Sequence, residues 1–131
     1  MALVLGSFFI WEFELEGNKT VPEEEILRAL ETCGVGGLFT GFVTQEAGLP
    51  RKPAPDMVFA ALEELGVGKE GAVYIGDSEV DIRTAYNAGG PCVSVLWGFR
   101  DREDLEKAGG RYYCADPGNL TEMIEEIING K

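Results

Sequence analysis

The sequence predicts an α/β fold with a mostly parallel sheet. Three observations support this. Short apolar runs alternate with segments of helical periodicity, Gly or Pro separates them, and the helical segments have the length of sheet crossovers. Strands alternating with helices of about 10 to 15 residues build right-handed βαβ units, and in such sheets ligands sit at the carboxyl ends of the strands. The chain has 131 residues with no internal repeat, low-complexity stretch or long linker, so one domain spanning residues 1–131 is expected.

The elements follow in order. FFIWEFEL (8–15) has the β-branched and aromatic character of a strand. Pro22 then opens a helix, PEEEILRALETCG, with Ile26, Leu27, Leu30 and Cys33 on one face, and Gly34 ends it. Its acids fall in the first turn, where they suit the helix dipole. GFVT (41–44) is a short strand. PAPDMVFAALEELG (53–66) is a helix with Val58, Ala61, Leu62 and Leu65 as its stripe. AVYIG (72–76) is a compact strand, residues 79–88 a helix ended by Gly89 and Gly90, and PCVSVLWG (91–98) a strand. DREDLEKAG (101–109) is a short helix, RYYCA (111–115) a last strand and NLTEMIEEIING a closing helix.

Composition excludes several functions. The formal net charge is −12, from 23 acids against 11 Lys and Arg, and no basic patch for nucleic acid is visible. No apolar run reaches the length of about 20 residues that a membrane span needs. MALVLGSFFIWEFELEG lacks a basic start and is read as structure, not as a signal peptide. There is no histidine, which removes the commonest general base and any His-ligated zinc. Cys33, Cys92 and Cys114 match no zinc or redox spacing and read as reduced, partly buried thiols of a cytoplasmic protein.

YIGDSEVDI (74–82) puts three acids into five positions. Asp77 lies where the chain leaves a strand, and Asp81 one turn up the next helix, so both carboxylates can face one place. Hard oxygen ligands there suit Mg²⁺. The plainer reading is local: Asp77 or Ser78 caps the helix, and Glu79 and Asp81 favour its positive end. Lys52 sits in LPRKPAPD, between prolines that feed a helix, where a fixed ammonium can neutralise a phosphate or hold an acid. Its plainer reading is a solvated surface lysine.

RKPAPD, YIGDSEVDI, AYNAG and VLWGF, in this order, resemble the second half of a haloacid dehalogenase (HAD)-type phosphatase of the phosphoglycolate phosphatase branch. GNKTVPEEEILRALETCGVGGLF also resembles the segment after that family's second motif. The family-like part is residues 17–131, with 1–16 an atypical strand segment. The resemblance implies a Rossmann-like three-layer core and Mg²⁺-dependent hydrolysis of a small phosphorylated metabolite. It implies that Lys52 stabilises the phosphoryl group, that Asp77 and Asp81 serve the metal, with Asp81 also supporting the lysine, and that Gly17, Asn18 and Lys52 bind phosphate. Gly17 stands where the family has Ser or Thr before its Asn-Lys pair, here Asn18-Lys19.

The family's nucleophile is an aspartate in a DxDGT-type motif at the end of the first strand, forming an aspartyl-phosphate. No aspartate precedes Asp56 here, and the cap segment has no room. Activity is therefore expected to be absent or impaired, and Mg²⁺ binding weak or absent. Glu12, Glu14 and Glu16 alternate toward one face, which places one of them near the site or all three on the solvent side of an edge strand. The family's first strand lies centrally, so residues 2–15 are expected to replace it, as one strand or as a hairpin turning at Gly6-Ser7. The alternative is a strand donated by a second copy in a swapped homodimer, or by a partner that completes the domain. A catalytically dead scaffold acting by binding or self-association is the competing functional reading.

Overall fold

The structure, a computed structural model, describes residues 48–130 and, from the first 47 positions, the backbones of five short strands together with Arg28, Glu31 and Thr32. The strands are β1 (Ala2–Val4), β2 (Ser7–Ile10), β3 (Glu14–Leu15), β4 (Lys19–Thr20) and β5 (Phe39–Phe42). Then follow α1 (Asp56–Leu65), β6 (Ala72–Gly76), α2 (Glu79–Ala88), β7 (Cys92–Val95), α3 (Arg102–Lys107), β8 (Tyr112–Cys114) and α4 (Leu120–Asn129).

The main sheet has the order β5-β2-β1-β6-β7-β8, and β3 and β4 form a separate antiparallel pair. β6, β7 and β8 run parallel, as does β2 beside β5. β1 runs antiparallel to both of its neighbours, β2 and β6. β1 and β2 thus form an antiparallel pair in the middle of the sheet, between β5 and β6.

β6 shows why its sequence is apolar throughout. Ala72 and Tyr74 face one cluster, with Met57, Val58, Ala61 and Leu62 of α1 and Ala85 and Ala88 of α2. Val73 and Ile75 face the other, with Val93, Val95, Cys114 and Ile124 and Ile127 of α4. A strand covered on both faces buries every side chain, and the helices on either side make three layers. Of the stripe expected on α1, Val58, Ala61 and Leu62 are buried and Leu65 packs at the margin.

Several expected boundaries move. The strand expected over 8–15 appears as Ser7–Ile10 and Glu14–Leu15, and the one expected at 41–44 as Phe39–Phe42. The strand expected over 91–98 ends at Val95, because the next residues turn back toward Asp77. Most of the helix expected from Pro22 to Cys33 lies outside the described residues, as does Gly34; Arg28, Glu31 and Thr32 are helical.

Candidate active site

The carboxyl ends of β6 and β7 carry the expected residues. β6 ends at Gly76, and α2 begins immediately after its N-cap, Ser78. The chain folds tightly here because Gly76 has no side chain: a Cβ there would overlap the side chain of Asp81. Ser78 and Asp81 form a reciprocal capping box. The capping reading is thus realised at Ser78, with Asp81 as its reciprocal partner.

Asp81 collects five hydrogen bonds. Its Oδ1 accepts from Lys52 Nζ at 2.9 Å and from the Tyr74 hydroxyl at 2.8 Å. Its Oδ2 accepts from the backbone N–H of Asp77 at 3.0 Å, from that of Ser78 at 3.1 Å and from Ser78 Oγ at 2.9 Å. The residue is 5% exposed. Burial works to raise its pKa, but the charge and hydrogen bond of Lys52, with the bonds from Tyr74 and the Asp77 N–H, outweigh this and hold the carboxyl below the ordinary aspartate range. A carboxylate offers about four lone-pair positions, so these bonds occupy both oxygens.

Lys52 is brought to the site from the loop before α1. Its side chain is 22% exposed, so it is not the freely solvated lysine of the plainer reading. Asn87 of α2 donates to the Pro53 carbonyl at 2.9 Å and ties that loop to the helix carrying Asp81.

Asp77 has a different environment. Its Oδ2 accepts from the Phe99 N–H at 3.0 Å, and its carbonyl from the Arg100 N–H at 3.1 Å. Its Oδ1 receives no hydrogen bond from the described residues. Arg100 forks onto Glu79, Nε to Oε2 at 3.0 Å and Nη2 to Oε1 at 3.1 Å. These hydrogen bonds hold the Glu79 carboxyl below its ordinary range.

Lys52, Asp77 and Asp81 are therefore gathered at one place. Gly17 and Asn18 lie outside the described residues, as do Glu12, Glu16 and the side chain of Glu14. Among the described residues, no three His, Cys, Asp or Glu side chains converge to hold a metal ion. One open carboxylate oxygen at a strand end nevertheless suits Mg²⁺, which takes one or two carboxylates and keeps most of its waters.

Sequence reasoning missed Tyr74, Asn87 and the turn after β7. Tyr74 had a signal: a phenol inside a buried strand needs a polar partner. The turn acts through backbone N–H groups, which no side-chain pattern announces. Of the cysteines, Cys33 lies outside the described residues. Cys92 and Cys114 are free thiols, and burial pushes Cys92 up to about 12, leaving it unreactive.

A lysine–aspartate pair and a strand-end aspartate thus lie together at the carboxyl end of β6 in a mixed α/β sheet. The model of the HAD-hydrolase-like family matches residues 49–120. The chain belongs to the HAD-like hydrolase superfamily, in its phosphoglycolate phosphatase-like branch. It is 35% identical over 115 residues to "Putative pyrophosphatase PpaX" of Caldanaerobacter subterraneus subsp. tengcongensis, covering 84% of this chain and 52% of that protein. It is 34% identical over 103 residues to a phosphoglycolate phosphatase of Rhodospirillum rubrum, covering 79% of this chain and 42% of that protein. The crystal structure of a predicted phosphatase from Clostridium acetobutylicum superposes with a TM-score of 0.68 at 27% identity, covering 80% of this chain and 49% of that one. The chain spans about half the length of the curated relatives it matches first.

Proposed function

We propose that this chain carries the phosphoryl-binding corner of a Mg²⁺-dependent phosphomonoester hydrolase acting on a small metabolite such as phosphoglycolate. The observation that carries this reading is the Lys52–Asp81 pair beside Asp77 at the carboxyl end of β6. Lys52 meets a phosphoryl oxygen; its bond to Asp81 uses one of three ammonium donors and fixes its direction. Asp81 positions Lys52, and through its bonds to the Asp77 and Ser78 N–H groups it also shapes the strand end. Asp77 is the carboxylate for the cation, through Oδ1; both oxygens of Asp81 are already engaged, so its share in the metal site is indirect. Bound Mg²⁺ would supply charge neutralisation on the phosphoryl oxygens. Gly17 and Asn18 complete the phosphate site in this reading through backbone and side-chain donors.

No aspartate precedes Asp56, so the 131 residues supply no aspartyl nucleophile of the family's kind. This chain's own turnover is therefore expected to be absent or strongly impaired. The same observation favours a second reading, a domain that binds phosphate without hydrolysing it, or one that a partner segment completes. The chain alone is acidic, with no indicated nucleic-acid partner, and no described helix is long and apolar enough to cross a membrane.

The test is a phosphatase assay with an aryl phosphate, phosphoglycolate and, because a relative is named for it, pyrophosphate. Each is run with and without Mg²⁺, beside Asp77→Asn. Turnover no greater than that of the variant is expected. Mg²⁺-dependent turnover lost in the variant would show that another group serves as nucleophile.

A further inference from the structure

We propose that the turn Trp97–Arg100 is a clamp that positions Asp77, with the Arg100–Glu79 fork as its latch. This rests on the reading of Asp77 as the cation's carboxylate. Three separate contacts join the turn to this one residue. The Phe99 N–H donates to Asp77 Oδ2 at 3.0 Å, which fixes one oxygen and leaves Oδ1 as the open one. The Arg100 N–H donates to the Asp77 carbonyl at 3.1 Å, so main chain and side chain are held together. Gly98 lies against the carboxylate so closely that a Cβ there would overlap Asp77 Cβ and Oδ2.

The latch closes this contact into a ring. Glu79 stands two residues after Asp77, at the first position of α2, and Arg100 directly follows Phe99. The guanidinium forks onto Glu79 at 3.0 and 3.1 Å and lies 4.4 Å from the centre of the Phe99 ring. Phe99 is 72% exposed, so little buried apolar surface holds the turn down. The fork and the two backbone bonds do so instead. A fork-shaped donor matters, because a lysine has the charge but not the paired geometry.

The test reads the clamp with and without a metal. Without metal, NMR hydrogen exchange follows the Phe99 amide in the wild type, Arg100→Met, Arg100→Lys, Glu79→Gln and Gly98→Ala. With metal, Mn²⁺ titration by paramagnetic broadening follows binding at the same positions, with Asp77→Asn as reference. Arg100→Met and Gly98→Ala should each speed Phe99 exchange and weaken Mn²⁺ about tenfold, the usual scale for losing an outer-shell partner. Arg100→Lys should lie between Arg100→Met and the wild type, and the thermal midpoints of the two Arg100 variants should hardly change, because the ion pair lies at the surface and is only part-buried. Phe99 exchange unchanged in both Arg100→Met and Gly98→Ala would overturn the clamp. Wild-type protein that binds no Mn²⁺, or binding that survives Asp77→Asn, would remove the cation reading instead; the clamp is then decided by Phe99 exchange alone.

Discussion

A carboxylate that accepts five hydrogen bonds in a buried corner titrates unlike one in water. Asp81 is held below the ordinary range, although burial opposes this, because Lys52, Tyr74 and the strand-end N–H groups favour its charged form. A depressed folded-state pKa stabilises the fold above the unfolded value, and this contribution is lost as pH falls through the folded one. The protein should therefore lose stability from about pH 4 downward, and Asp81→Asn, less stable at neutral pH, should lose less over that range. Urea unfolding at a series of pH values checks this; parallel curves for the two proteins would contradict it. Lys52→Met should cost about 1.5–3 kcal/mol, the scale of a hydrogen bond to a charged group. Ser94 gives a contrast, since its Oγ is buried and meets the geometry of a hydrogen bond with no partner among the described residues. Ser94→Ala should leave stability unchanged or raise it by about 1 kcal/mol, since the orphaned hydroxyl is removed. The acid pair and the lysine were legible from spacing and from the prolines around Lys52. Tyr74 was read only as strand, because an apolar run hides one hydroxyl.

At the scale of elements, local signals gave the boundaries that local chemistry sets. The strand expected at 72–76 and the helix expected at 79–88 are found with those bounds, fixed by Gly76, the Ser78–Asp81 box and Gly89. Gly89 ends α2 at φ +80°, whereas Gly90 has no positive φ and open space where a Cβ would go. Gly89→Ala should thus cost about 1–2 kcal/mol and Gly90→Ala well under half of that. Equal costs in chemical denaturation would show that the left-handed turn does not terminate the helix. The strand expected over 91–98 stops at Val95, and the reason is tertiary: the Phe99 and Arg100 N–H groups bond to Asp77. No window of neighbouring residues contains that information.

At the scale of the molecule, the alternation of strands and helices announced the parallel β6-β7-β8 unit and its covering helices. The direction of the central strand was not legible. Residues 2–15 could be read as one strand or as a hairpin turning at Gly6-Ser7, and only pairing with β6 and β5 separates β1 from β2; β1 is antiparallel to β6, and β2 is parallel to β5. If this hairpin completes the sheet, removing residues 1–10 exposes the backbone of β6 and should abolish a single cooperative unfolding transition. An unchanged transition would show that the hairpin is dispensable. In the proposed function, an acidic protein of net charge −12 holds a phosphoryl site around Lys52. Its most direct test is orthophosphate binding by calorimetry in the presence of Mg²⁺, for the wild type and Lys52→Met. Saturable binding by the wild type that is lost in the variant is expected; equal binding by both, or none by either, would overturn the phosphoryl site.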